Sequence, residues 1–289
     1  MRRFANHPVY QVLFLVALVT AGCGTPAPPP TATPVPTATV RPTSTPWPTS
    51  TPEPPDTGWQ PVEPGVELRR LLVQGDYVGE RLTIVRLDPA AVCFRVHYDP
   101  VAPRLVSGWA ERIRPLLVIN GGYFSPEGET LGLLVSDGQR WGYVYGDFAG
   151  MFAVTVSGEV SVRWLDDRPY DPAEPLAEAV MSFPVLVKPG GVLGFMPGDD
   201  EGDAARRTVV AQDMAGRVLL IVAPRGHLSL HELARALVES DLALDVALNL
   251  DGGSSTGVWM AGETAGMTDS LVPVPSVIGV TLGPGCEGD

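Results

Sequence analysis

The chain has 289 residues, and its 20 lysines and arginines against 33 aspartates and glutamates give a net charge of −13. A protein that binds nucleic acid needs a basic face, so this balance argues against a nucleic-acid partner, while it leaves room for a local arginine cluster that holds one phosphate. Hydrophobic residues make up 45% of the chain, which is enough for a large core.

The N-terminal residues have the pattern of an export signal. Arg2 and Arg3 precede an apolar run, Val9–Ala21, which is too short to span a bilayer core of roughly 30 Å. Small residues and then Cys23 follow, an order that resembles the bacterial lipoprotein signal, in which the cysteine becomes the lipidated first residue. We expect a signal peptide at residues 1–22, a lipid anchor at Cys23 and a place on the extracellular face of the bacterial membrane. An ordinary secretory signal with an incidental cysteine is the alternative.

Residues 23–57 form a Pro/Thr-rich segment. Residues 25–56 hold 12 of the chain's 30 prolines and almost no aliphatic side chains. This composition predicts a disordered, extended spacer with polyproline II character; a proline-rich ligand for a partner domain is the alternative. The remaining residues, 58–289, suffice for one large domain, and no pattern in them indicates a protein partner.

The domain is predicted to consist of many short strands and one clear helix. Runs of β-branched and aromatic residues bounded by Pro, Gly or Asp are typical of strands. The predicted strands are Leu82–Leu87, Val92–Tyr98, Leu116–Asn120, Leu131–Val135, Phe152–Val156, Val160–Trp164, Thr208–Gln212, Val218–Val222, Val246–Leu250 and Val277–Leu282. Helical spacing occurs in Leu230–Asp241, with Ser229 as N-cap and Glu232 completing a capping box. A helix that leads into a buried strand suggests a crossover. We predict an α+β fold, mostly β, with a mixed sheet, hairpins and one or few helices packed on it.

The first candidate for a site is a strand end followed by two glycines. In the segment VINGGYFS the predicted strand ends at Asn120, and Gly121 and Gly122 follow. Paired glycines allow positive φ and a close approach of the backbone to a ligand, and the Asn120 amide offers both donor and acceptor atoms. An Asn-Gly hairpin turn is the alternative.

A similar pattern occurs in the segment LNLDGGSSTG. Asp251 lies at the end of a strand that we expect to be buried, where a carboxylate is costly unless it is paired, hydrogen-bonded or open to a cavity. Gly252 and Gly253 free the backbone N–H groups that follow, and Ser254 and Ser255 add hydroxyls. Such a loop can cradle an oxyanion or a phosphate; an Asx-type turn is the alternative.

Two adjacent arginines, Arg206 and Arg207, begin the strand in AARRTVVAQ. If the strand alternates, one guanidinium faces inward, where it can bind a carboxylate or a phosphate with two parallel hydrogen bonds. An exposed arginine pair at the start of a strand is the alternative.

Cysteine and histidine show no pattern of metal ligands. Cys93 lies in a predicted strand and Cys286 in the tail, so a disulfide and two free thiols both stay open. His227 and His231 are four residues apart, but His227 precedes the helix cap, so the two are not expected to share a face. We expect no metal site and no cofactor; a divalent cation is compatible with the site but not indicated.

Together these segments resemble one protein family. VINGGYF, RRTVVAQD and HELARAL…ALNLDGGSST, followed by SVIGV, are similar in order and content to the phosphodiester glycosidase family, over roughly residues 71–283. Two departures stand out. The glycine run before the serines is short, and Ala223–Gly226 (APRG) stands where the family commonly has an Asp-Gly. The second departure bears on the identity of the substrate more than on the fold.

The resemblance implies that residues 58–289 hydrolyse sugar-1-phosphodiesters and release a free sugar and a phosphate monoester. It implies that Asp251 acts at the anomeric carbon, as a base on water or as a stabiliser of positive charge. Arg207 would pair with the phosphate, with Arg206 in reserve, and Asn120 would hold a sugar hydroxyl or the phosphate. The substrate-binding residues would further include Gly121, Gly122, Gly252, Gly253, Ser254 and Ser255.

A second class of function stays open. A non-catalytic lipoprotein of the same fold would bind cell-surface polysaccharide through an open aromatic groove and would tolerate loss of Asp251. Candidates for a sugar-stacking platform are Trp109, Trp141, Trp164 and Trp259, although core packing is the default for each. In either case the expected partners are a glycosyl phosphate or polysaccharide and, through the anchor, the membrane.

Overall fold

Most of the regular structure in the described residues consists of short β-strands. The structure is a computed structural model that describes residues 53–144, 146, 149–198, 203–262 and 267–283. The predicted signal peptide, Cys23 and the spacer up to residue 52 lie outside the described residues. The predicted class, α+β and mostly β, is confirmed.

The elements follow in chain order. The strands are β1 (Gln60–Glu63), β2 (Val66–Gln74), β3 (Gly79–Leu87), β4 (Val92–Tyr98), β5 (Leu117–Asn120), β6 (Leu134–Ser136), β7 (Gln139–Trp141), β8 (Gly150–Thr155), β9 (Val160–Trp164), β10 (Leu176–Ser182), β11 (Val185–Lys188), β12 (Val192–Leu193), β13 (Ala205–Asp213), β14 (Val218–Leu228), β15 (Leu244–Asn249), β16 (Val258–Met260) and β17 (Ser276–Leu282). The α-helices are α1 (Val106–Ile113) and α2 (Leu230–Glu239), and Gly253–Ser255 form one turn of 3-10 helix.

The largest sheet has eight strands in the order β1-β2-β3-β14-β13-β15-β11-β12. Both β14 and β15 pair antiparallel with β13, so they run parallel to each other with β13 between them, and α2 connects them. The predicted crossover is therefore present, but it skips one strand. The predicted mixed sheet is wrong, because all strand pairs in the described residues are antiparallel.

Two smaller sheets share a core with the large one. Their strand orders are β7-β6-β10-β8-β9 and β16-β5-β17-β4. One buried cluster unites Val210 of the large sheet, Phe94 of the four-stranded sheet and Phe152 of the five-stranded sheet. The rings of Phe94 and Phe152 pack edge to face with their centroids 5.6 Å apart. Because burial of apolar area is the main favourable term in folding, this common core fixes the three sheets around the strand ends described below.

The two helices differ in how clearly the sequence encodes them. Helix α2 has the predicted capping box: the Ser229 hydroxyl accepts the Glu232 N–H, and the Glu232 carboxylate accepts the Ser229 N–H. Its apolar face, including Leu233 and Leu237, covers the face of the large sheet that points away from the common core. Helix α1 was not predicted, since it has eight residues and no side-chain N-cap. No helix among the described residues is long and apolar enough to cross a membrane.

The domain begins slightly before the predicted boundary at residue 58. Asp56 forms a bridge with Leu71, and its carboxylate pairs with Arg69 at 2.7 Å. These last residues of the predicted spacer therefore lie against β2. At the other end of the chain, Gly283 donates to the Ala91 carbonyl. Cys93 takes part in a disulfide, and the other cysteines of the sequence, Cys23 and Cys286, lie outside the described residues.

Candidate active site

The candidate site forms where β5 of the four-stranded sheet meets β13 and β15 of the large sheet. Val209 of β13 is paired with Asn249, the last residue of β15. The loop after β15 reaches the end of β5, because the Asp251 N–H donates to the Gly121 carbonyl at 3.3 Å. The structure therefore brings together the three segments that the sequence singled out.

Asn120 is the junction between these segments. Its Nδ2 donates to the main-chain carbonyls of Asp251 (2.8 Å) and Gly121 (3.3 Å). Its Oδ1 accepts from the Thr208 hydroxyl (2.7 Å) and the Gly257 N–H (3.1 Å). These bonds use both amide hydrogens and both oxygen lone pairs, and the side chain is fully buried. The geometry thus makes Asn120 a support for the Asp251 loop, instead of the direct substrate contact expected from the sequence.

Asp251 is the carboxylate of the site, and it is largely buried. Its Oδ1 accepts the Gly252 N–H at 2.8 Å, and the Ser255 hydroxyl also bonds to the carboxylate. Burial raises the pKa of Asp251 above its ordinary value, and the bonds from Ser255 and Gly252 act in the opposite direction. These two hydrogen bonds hold the carboxyl group in place, and its raised pKa makes it a stronger base than an exposed aspartate.

Glycine is required in the loop that follows Asp251. A Cβ on Gly252 would lie 2.8 Å from the Arg206 carbonyl, so this backbone packs against the start of β13. Gly253 has a φ of +58°, and open space surrounds the position where its Cβ would be. Ser255 is buried with its hydroxyl on Asp251, whereas Ser254 is exposed. The exposed side of the predicted cradle is thus formed by Gly253 and Ser254.

The other predicted glycines pack against neighbouring strands. A Cβ on Gly121 would lie 2.4 Å from the Ser276 hydroxyl, and a Cβ on Gly122 would lie 2.9 Å from a Val180 methyl group. Their lack of side chains lets the chain after β5 pass close to β17 and β10.

The two arginines have different surroundings: the Arg206 side chain bonds to main-chain carbonyls, and the Arg207 side chain lies at the candidate site. Arg206 donates through Nη2 to the Thr256 carbonyl and to the Asp269 carbonyl. Burial lowers its pKa. Arg207 lies beside the Gly252 backbone, with its Cδ 3.8 Å from the Cβ position of that glycine, and its charge acts on the Tyr123 hydroxyl. Arg207 is therefore the guanidinium that shares the site with Asp251.

Sequence reasoning missed two members of this constellation, Tyr123 and Asn249. The Tyr123 hydroxyl accepts from Asn249 Nδ2 at 2.8 Å. Burial raises the pKa of Tyr123, the charge of Asp251 raises it further, and the charge of Arg207 lowers it. The phenol therefore lies within the field of both charged groups. Both residues belong to the quoted motifs, NGGYF and NLDGG. Their polar side chains within these motifs are the sequence signal for them.

The described residues contain no group of three or more His, Cys, Asp or Glu side chains that could hold a metal ion. His227 and His231 each bond through Nδ1 to a backbone carbonyl, that of Gly79 (2.9 Å) and that of Phe195 (3.0 Å). Both border a surface cavity of about 580 Å³ beside the N-terminus of α2.

The tryptophans considered as sugar platforms pack elsewhere. Trp109 is buried and donates through Nε1 to the Val274 carbonyl at 2.9 Å, and Trp259 packs against the same cluster. Trp141 meets the Tyr98 ring edge to face, and Trp164 lies under the Lys188 ammonium. Each of the four therefore has a packing role.

Comparison with known proteins shows the family and the fold of this chain. A family model described as phosphodiester glycosidase matches residues 114–281. The fold is similar to the catalytic domain of zebrafish N-acetylglucosamine-1-phosphodiester alpha-N-acetylglucosaminidase, auto-inhibited by its pro-peptide, with a TM-score of 0.61, 20% identity, and coverage of 76% of this chain and 84% of that one.

Two bacterial structures share the fold at lower identity. A hypothetical protein from Synechocystis has a TM-score of 0.54 and 17% identity over 76% of this chain and 62% of that one. A putative exported protein from Burkholderia pseudomallei K96243 has a TM-score of 0.51 and 14% identity over 70% of this chain and 74% of that one. No curated protein matches the chain.

Proposed function

Because the chain belongs to the phosphodiester glycosidase family, whose members are glycosidase-type hydrolases, we propose that it hydrolyses sugar-1-phosphodiesters and releases a free sugar and a phosphate monoester. The observation that carries the proposal is that one carboxylate, Asp251, and one guanidinium, Arg207, both act electrostatically on the Tyr123 hydroxyl, while Arg207 also lies beside the Gly252 backbone that follows Asp251. A reaction that separates a sugar cation from a phosphate anion needs these two charges close together.

Each charged group has a role that its surroundings support. Arg207 binds the phosphate and stabilises the negative charge that this group takes as it leaves. Asp251 removes a proton from a water molecule that attacks the anomeric carbon. The bond between that carbon and the phosphate oxygen breaks, and its electron pair leaves with the phosphate. The proton then passes from Asp251 to solvent, which restores the carboxylate.

A single carboxylate is sufficient for this chemistry. Ordinary glycosidases use a second carboxylic acid to protonate the leaving oxygen. A phosphate monoester is already a fair leaving group, and Arg207 supports it further. The backbone at Gly253 and Ser254, on the exposed side of this loop, would bind the remaining phosphate oxygens.

The sequence supports a location for this activity. We propose that residues 1–22 are removed, that Cys23 carries lipid and that the spacer holds the domain outside the bacterial membrane. The substrate would then be a glycosyl phosphate or a phosphate-linked polysaccharide outside the cell.

The test is hydrolysis of N-acetylglucosamine-1-phosphodiester and related sugar-1-phosphodiesters by the full chain, with both products measured, with and without EDTA. We expect both products from the wild type, a loss of at least about a hundredfold in Asp251→Asn, and normal turnover in the matched control Asp166→Asn, whose carboxylate is exposed. Wild-type rates in Asp251→Asn would remove Asp251 from the mechanism. Binding of polysaccharide without release of either product would favour the binding module.

A further inference from the structure

An exposed aromatic side chain borders the candidate site beside Tyr123. Phe183 lies between β10 and β11 and is 38% exposed. Its ring packs on Tyr123 with the centroids 4.7 Å apart and the planes tilted by 30°. An aromatic ring that is supported by a second ring and still reaches solvent presents a firm apolar surface at the rim of the site.

Hydrogen bonds from Asn249 hold the residue that carries this ring in a fixed position relative to the Tyr123 hydroxyl. Asn249 Nδ2, which donates to the Tyr123 hydroxyl, also donates to the Phe183 carbonyl at 3.1 Å. The Asn249 N–H donates to the Pro184 carbonyl at 3.0 Å. One side chain therefore ties together the phenol that lies in the field of Asp251 and the residue that carries the exposed ring.

Two buried polar atoms next to Phe183 have no hydrogen-bond partner in the described protein. They are the hydroxyl of Ser182, which precedes Phe183, and Oδ1 of Asn249. Both residues are fully buried. Unsatisfied buried polar atoms carry a free-energy cost that proteins retain mainly where a ligand or an ordered water completes the bonding.

The proposed reaction leaves one part of the substrate without a binding surface. Arg207 and the Gly253 region take the phosphate, and Asp251 takes the anomeric carbon. The sugar ring has an apolar face of C–H groups, which matches an exposed aromatic ring at the rim of the site.

We propose that Phe183, supported by Tyr123, is the platform on which the sugar ring of the substrate stacks. The inference rests on the proposed function and deepens it, because it assigns the sugar to the Phe183 side of Asp251 and the phosphate to the Arg207 side.

The experiment measures binding in a chain that cannot turn substrate over. N-acetylglucosamine-1-phosphodiester is titrated into the full-length Asp251→Asn chain by calorimetry, and the titration is repeated after adding Phe183→Ala, Phe183→Leu or Phe183→Trp. We expect roughly tenfold weaker binding with alanine, little rescue by leucine and recovery with tryptophan. Tyr77→Ala removes an aromatic ring that is 99% exposed elsewhere and serves as the matched control. Thermal melting confirms that each variant is folded.

The outcomes separate the platform from the proposed reaction. In the active chain, Phe183→Ala should raise KM with a smaller effect on kcat. If the wild type turns over substrate but Phe183→Ala binds and reacts normally, the platform is wrong and the reaction stands. If no chain turns over any substrate but sugar binding is lost with Phe183→Ala, the platform stands in a binding protein. If the wild type turns over no substrate and the inert chain binds no sugar phosphate, both proposals fail.

Discussion

Arg206 and Arg207 are adjacent in the sequence, yet their side chains serve different parts of the molecule. Neighbouring residues of a strand point to opposite sides, and here one guanidinium crosses to the carbonyls of Thr256 and Asp269 while the other lies near Tyr123 and Gly252. The first holds the loop after Asp251 against β13. The second donates through Nη2 to the Asp203 carbonyl at 2.8 Å, and its charge acts on the Tyr123 hydroxyl.

This difference predicts that alanine at Arg207 lowers activity, whereas alanine at Arg206 lowers stability. Arg207→Ala should lower kcat/KM by about 10²- to 10³-fold, because a preorganised charge is lost from the leaving phosphate, with little change in stability. Arg206→Ala should cost about 1–3 kcal/mol of unfolding free energy, since the carbonyls of Thr256, which is buried, and of Asp269 lose their donor. Urea denaturation and steady-state kinetics on both variants provide the check. Loss of turnover in Arg206→Ala at unchanged stability would reverse the assignment.

The buried environment of Asp251 predicts the acid limb of the pH profile. The base must be ionised to accept a proton, and burial raises its pKa. Therefore kcat/KM should fall, as the pH is lowered, at a pH above the range of an ordinary aspartate.

Ser255→Ala removes a hydrogen bond that favours the ionised carboxylate of Asp251. The acid limb should then move to still higher pH. Ser157→Ala, at an exposed hairpin hydroxyl, is the matched control and should leave the limb where it is. A limb that stays in place in Ser255→Ala would exclude Asp251 as the group that titrates.

Asn120 is predicted to contribute mainly to stability. Asn120→Ala removes four hydrogen bonds inside the protein and leaves buried partners unsatisfied. We expect a loss of about 3 kcal/mol or more of unfolding free energy, measured by urea denaturation. Thr208→Val removes one of these bonds at nearly constant volume and should cost about 1 kcal/mol. If Asn120→Ala is as stable as the wild type and only KM changes, the asparagine contacts substrate after all.

His97 makes the fold sensitive to acid. Burial, together with the charges of Arg95 and Arg112, lowers its pKa from 6.5 to about 4. The unfolded chain therefore binds this proton more readily, and stability should fall as the pH drops from about 6.5 to about 4, by at most roughly 3 kcal/mol.

Another buried group acts in the opposite sense over part of this range. Burial raises the pKa of Glu178 from 4.5 to about 7, so its contribution to stability is lost as the pH rises through that interval. The His97 effect is therefore isolated as the difference between wild type and His97→Phe, followed by urea denaturation at several pH values. Parallel curves for the two chains would show that His97 does not titrate in this range.

Local patterns predicted the parts of the fold that local interactions determine. The bounds of β4 and β9 match the prediction, and α2 begins at the predicted cap. The strands β10 and β11 were not predicted, because Pro184 interrupts an otherwise apolar run and obscures its alternation.

The site could be predicted only as separate segments. Glycine pairs and polar residues after apolar runs identified the loops of Asn120 and Asp251. The contact between Phe183 and Tyr123 joins residues 60 positions apart in the sequence, and it depends on how β10 packs beside the chain after β5. No local pattern carries that information, so aromatic residues with no periodic role were missed.

The order of strands in the two sheets at the site has a consequence for synthesis. The last strand, β17, lies between β5 and β4, and the late strand β15 lies between β13 and β11. A growing chain therefore lacks the centre of one sheet and an inner strand of the other until nearly all of it has been made. Non-local pairing of this kind folds slowly, so most of the chain is synthesised before either sheet can close.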